Sequence, residues 1–120
     1  MARAEDLAFK PATWSVVTSV NDNTSAVATR AAPGAALRLY ITHATISASA
    51  APSATVSATI TDGGTTIERI EIPAAVFAPV IIPYPRGYKC GVNAAAVITL
   101  PAIGGTTRGT VSIHGFTASE

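Results

Sequence analysis

Apolar side chains recur at every second position of this 120-residue chain, in runs of about five to twelve residues, and nearly every run ends at Gly, Pro, Asn or Asp. In "TVSATIT", Val56, Ala58 and Ile60 share one parity, and Ser57, Thr59 and Thr61 share the other. Only an extended strand, whose side chains alternate between two faces, sorts such residues into an inside and an outside. Thr, Val and Ile dominate these runs while Leu, Glu and Lys are few, which favours strands over helices.

Strands are expected at "TWSVVTSV" (13–20), "TSAVATR" (24–30), "ALRLYITHATIS" (36–47), "TVSATIT" (55–61), "TTIERIEI" (65–72), "FAPVIIP" (77–83), "AAAVITL" (94–100) and "GTVSIHGF" (109–116). "DGG" at 62–64 predicts a tight hairpin, since Gly supplies the positive φ such turns need. In the third strand Leu37, Leu39 and Ile41 share a parity that Ile46 breaks, which predicts a bulge near His43 to Thr45. Pro79 and Pro83 confine "FAPVIIP" to an edge or a short strand, and "YPRGYKCG" reads as a loop. About eight short strands with turn chemistry between them predict one antiparallel sandwich or barrel over residues 13–120. Residues 1–12 read as an N-terminal arm.

Charged residues make up 12% of the chain, about half the usual share, and the net charge is +1. The scattered cations form no basic run, which argues against nucleic acid as a partner. No apolar run reaches the roughly 18 residues of a membrane span, and "MARAEDLAFK" lacks a signal-peptide core, so the chain reads as made in the cytosol without export or membrane insertion.

Little in the chain suggests chemistry. His43 and His114 are the two histidines, without the third ligand a catalytic zinc requires. His114 lies on the face opposite Val111 and Ile113, whereas the side taken by His43 depends on the bulge. Cys90 is the single cysteine. Lys89 beside it is of the type that lowers a thiol pKa, and a Cys–His pair stays open, but a lone cysteine more commonly behaves as a buried small hydrophobe. Glu68 and Glu71 have opposite parity and form no acid–base pair. "DGGTT" and "IGGTTRG" join strands to strands and so make no phosphate cradle. Trp14, Tyr40, Tyr84 and Tyr88 are candidates for a sugar platform. No catalytic residue, cofactor or metal is expected, and the protein is not expected to be an enzyme.

The order "LRLYITHATIS", "ATVSATITDGGTTIERIEIPA", "FAPVIIPYPRGYKCGVNAAAVITLPA" and "TRGTVSIHGF" resembles a family of small virion structural proteins of tailed bacteriophages, over about Leu37 to Phe116. The resemblance implies a β-sandwich of jelly-roll type. It also implies a capsid decoration (cement) protein on the outer surface of the head, trimeric, with the major capsid protein as its partner. Tail, baseplate or head-fibre subunits share the type, and a carbohydrate-binding adhesion module is the alternative from another class. On this reading Arg38, Arg69, Arg86 and Arg108 are the candidates for pairing with carboxylates on the shell. Phe9 and Trp14 would anchor the arm on a neighbouring subunit, and His114 would sit at an interface.

Overall fold

A computed structural model describes residues 12–20, 24–75, 77–104 and 107–119. They form eight strands: β1 (Ala12–Val20), β2 (Ala26–Arg30), β3 (Leu37–Ala48), β4 (Val56–Asp62), β5 (Thr65–Ile72), β6 (Val80–Val92), β7 (Ala96–Leu100) and β8 (Gly109–Ser119). Two four-stranded sheets face each other, sheet A in the order β1-β8-β3-β6 and sheet B in the order β2-β7-β4-β5. All the pairings are antiparallel. Each strand from the first half of the chain lies beside its counterpart counted back from the end: β1 with β8, β2 with β7, β3 with β6, β4 with β5. A long hairpin rolled across two sheets is a jelly roll, so the expected all-β fold of about eight strands is the fold found.

The arm expected over residues 1–12 lies, apart from Ala12, outside the described residues. Ala12 opens β1. The "DGG" turn is a two-residue connection in which Gly63 and Gly64 have φ of 56° and 90°. Positive φ at both positions is the type I′ geometry, whose twist matches that of the flanking strands.

The core lies between the sheets. Leu39, Ile41, Ile46, Val111 and Ile113 from sheet A meet Ile60, Ile98 and Leu100 from sheet B, all essentially without solvent contact. The parity change in β3 is real. Its register slips between Ile41 and His43 against both β6 and β8, leaving Thr42 as the extra residue. Leu39 and Ile41 before the slip, and Ala44 and Ile46 after it, therefore all face inward.

"YPRGYKCG" departs from the expectation of a loop, because it belongs to the thirteen-residue β6. At the sheet edge a proline loses no ladder hydrogen bond if its nitrogen faces away from the neighbour. The loop character survives locally. Tyr88 stands opposite Ile41 and Pro83 opposite His43, so 84–87 have no partner on β3 and bow out of the ladder.

Gly115 stands opposite Ile41 at the slip and opposite Trp14 on β1. A Cβ there would overlap the Tyr40 carbonyl oxygen and lie 2.7 Å from the Trp14 ring. Gly115→Ala is expected to cost about 3 kcal/mol or more in a denaturant titration, by forcing backbone apart. Gly91→Ala, where the added methyl meets Ala94 at an ordinary 3.7 Å, should cost less than about 1 kcal/mol.

Candidate functional site

The outer face of sheet A is built in rows that cross its strands. One row runs Thr13, Phe116, Tyr40, Lys89, the next Ser15, His114, His43, Pro83, and a third Val17, Ser112, Thr45, Ile81. Sequence parity alone left His43 ambiguous, and the slip at Thr42 turns it outward beside His114. The two imidazoles stack with centroids 4.1 Å apart and planes 9° from parallel. In the adjoining row Tyr40 and Phe116 stack at 4.8 Å and 6°. Four half-buried rings thus form a band across β3 and β8. A shallow, open depression of about 430 Å³ lies along it, lined by Thr13, Ser15, Thr42, His43, His114 and Phe116 among others.

Hydroxyls hold the histidines in place. The Thr42 hydroxyl donates to the His114 carbonyl at 3.1 Å, taking the role of a backbone donor at the slip. Its single proton being used there, the longer 3.4 Å contact with His43 Nδ1 has the imidazole N–H as donor. His114 Nε2 lies 3.0 Å from Ser112 Oγ, which in turn hydrogen-bonds Thr45 Oγ1. Burial, and secondarily the neighbouring His43, lowers the His114 pKa below its ordinary value of 6.5.

The remaining candidates separate. Cys90 is fully buried and faces the core, while both histidines face outward from the same sheet, so they form no nucleophile–base pair. Burial, with Asp62 adding a smaller effect, pushes the thiol up to about 12, opposite to what Lys89 as a chain neighbour suggested. Adjacent residues of a strand point to opposite faces, and Lys89 is exposed where Cys90 is buried. The carboxylates of the central body accept hydrogen bonds within the chain. Asp62 accepts from Gly91 N at 3.1 Å through both oxygens, Glu68 from Tyr84 Oη at 3.3 Å, and Glu71 from Ser57 Oγ at 2.7 and 2.8 Å. Among the described residues no group of three His, Cys, Asp or Glu side chains is placed to hold a metal.

Tyr84 and Tyr88 do come together, with centroids 5.9 Å apart, beside a shallow depression of about 400 Å³ formed by residues 84–88. Burial and the bond to Glu68 push the Tyr84 phenol up to about 12. Trp14 does not join them. It lies on β1, at the other edge of sheet A, 7% exposed, with the Arg30 guanidinium 5.7 Å from its ring centre. The structure therefore puts the Trp14 ring in the core, not on an outer face. The four arginines named from the sequence also stay apart. Arg38 donates to the Cys90 carbonyl at 2.8 Å near one end of the β3–β8 ladder, and Arg108 precedes β8 at the other end. Arg69 is on the edge strand β5 of sheet B, and Arg86 is exposed where β6 bows out. Phe9 lies outside the described residues.

No family model matches this chain, and no curated protein matches it. Among solved structures it is similar to a chain of the acid-stable capsid of Helicobacter pylori bacteriophage KHP30, with a TM-score of 0.57, 10% identity, and 91% of this chain and 94% of that one covered. It is also similar to the PRD1 vertex protein P5 (TM-score 0.48, 12% identity, 87% and 96% covered). A third similar structure is the CBM36-1 domain of a multidomain xylanase from the hindgut metagenome of Trinervitermes trinervoides (TM-score 0.42, 12% identity, 84% and 95% covered). The likeness is one of fold. The jelly roll implied by the resemblance to phage virion proteins is present, and a capsid chain shares it.

Two predictions follow from these environments. Cys90 in the native protein should resist a thiol-titrating reagent at neutral pH and react fully in denaturant, and fast native labelling would contradict its burial. An unfolded histidine takes up its proton near pH 6.5, whereas folded His114 resists doing so. Stability should therefore be full above about pH 6.5 and fall as the pH drops below it, levelling once folded His114 is protonated. His114→Gln should flatten that fall in denaturant titrations between pH 7.5 and 5.

Proposed function

We propose that this protein is a non-enzymatic structural component of a bacteriophage particle, a cement protein that decorates the outside of the head as a trimer and stabilises it by bridging capsomers. The observation that carries this reading is the jelly roll shared with a phage-capsid chain over nine tenths of both chains. The order of strand and turn motifs supports it independently.

Surface chemistry is in keeping with such a role. Both outer faces are broad and hydroxyl-lined. On sheet B the rows Val27, Thr99, Thr59, Arg69 and Thr29, Val97, Thr61, Thr66 repeat the pattern of sheet A. A cement protein acts by adding buried interface between subunits already assembled, and flat faces suit that better than a cleft. Several modest contacts per trimer give strong attachment through avidity. On this reading Arg69, Arg86 and Arg108, at separate places on the surface, would each meet a different part of the shell, and His114 would lie under a contact on sheet A.

The alternative of a carbohydrate-binding module has narrower support. Of the four rings named from the sequence, Tyr84 and Tyr88 come together, Tyr40 stacks instead on Phe116, and Trp14 is buried elsewhere.

The test is the copy number of this chain in purified particles, by quantitative mass spectrometry against the major capsid protein. A ratio near one to one is expected for a cement protein. A few per cent would move the chain to a vertex, fibre or tail, and absence would end the virion reading.

A further inference from the structure

Two four-stranded sheets have four edge strands, and each edge is open to pairing with another chain unless something discourages it. Three of the four here carry such a device. β6 has Pro83, Pro85 and Lys89 and bows out of register at 84–87. β5 has Glu68, Arg69 and Glu71 and a register shift beside Ile60. β2 has five residues and ends in Arg30. β1 has none of these. Its nine residues, "ATWSVVTSV", include no charge, no proline and no glycine. They run against β8 in unbroken register from Ala12 opposite Thr117 to Val20 opposite Gly109. Among the described residues β8 is its one ladder neighbour. The side of β1 turned away from β8 thus presents a straight row of backbone donors and acceptors about 30 Å long.

We propose that β1 is a self-association edge: the β1 strand of a second copy pairs with it, antiparallel across a two-fold axis, joining two A sheets into one eight-stranded sheet. The strand is suited to meet itself. A two-fold brings an edge against its own reverse, and β1 has no charge that such pairing would oppose to its like. Val17 stands next to the middle residue of the nine, and a two-fold axis through it sets the Val17 side chains of the two copies directly opposite each other on the outer face. Val17 is 61% exposed in a single chain, between the exposed Ser15 and Ser19, and gains an apolar neighbour only from outside. Closed two-fold contacts of this kind are the commonest form of self-association. The contact does not depend on the virion reading. On a shell it would link neighbouring trimers rather than build one.

Sedimentation equilibrium and hydrogen exchange on the full chain, over a hundredfold range of concentration, test this. The wild type should associate reversibly by doubling, monomer to dimer or trimer to hexamer, and the β1 amides that point away from β8 should gain protection as it does. Val17→Lys, which places two like charges near the axis, should weaken association at least tenfold. Ile81→Lys, at the other edge of the same sheet where the side chain is 69% exposed, should leave it unchanged, and circular dichroism will show that both variants keep their strands. A monomer at every concentration would overturn the proposal, as would equal effects of the two substitutions. Protection of those amides already in the monomer would also overturn it, because another part of the same chain would then cover the edge.

Discussion

The insertion of Thr42 into β3 decides which side chains of sheet A reach the core and which form its outer face. With an unbroken register, Ala44 and Ile46 would point outward, and His43 and Thr45 would point between the sheets. Exposing one isoleucine forfeits about 2 kcal/mol of burial. An imidazole or hydroxyl buried without a partner costs a further 1–3 kcal/mol or so. Slipping by one residue avoids both penalties at the expense of one ladder position, and the Thr42 hydroxyl makes good part of that loss by donating to the His114 carbonyl. Gly115 is the other half of the arrangement, because the Tyr40 carbonyl comes so close to it that no side chain fits. The stacked histidines are thus a consequence of how the core is closed.

Much of this was legible in the sequence because period-two alternation is a strong signal. β5 falls on the expected residues 65–72, and the broken parity between Ile41 and Ile46 announced the slip within a residue or two. What escaped sequence reasoning depends on partners. The fate of His43 turned on whether the extra residue came before or after it, and its pairing with His114 needs the register of β8 against β3. Proline and glycine in "YPRGYKCG" read as breakers, a rule written for strands bonded on both sides, whereas β6 is bonded on one. Trp14 sits in a stretch where Val16 and Val17 offer apolar residues of both parities, so its inward face was not fixed by alternation. For Cys90, proximity along the chain stood in for proximity in space, and in a strand the two differ.

The low charge of the chain has a structural counterpart. On sheet A, hydroxyls in neighbouring strands bond to each other, as Ser19 does with Thr110 at 2.9 Å and Thr45 with Ser112. A hydroxyl already paired inside its own sheet loses little when another surface excludes water from it. A solvated charge must be stripped of water or matched with a partner. Sheets of this kind can therefore be covered by many different flat surfaces at small cost, provided that backbone edges do not compete. Three edges are guarded by charge, proline, irregularity or shortness, and the neutral outer row of β1 merges without a break into the hydroxyl face beside it. The same economy of charge that makes the faces easy to cover leaves that one edge to be satisfied by a neighbour.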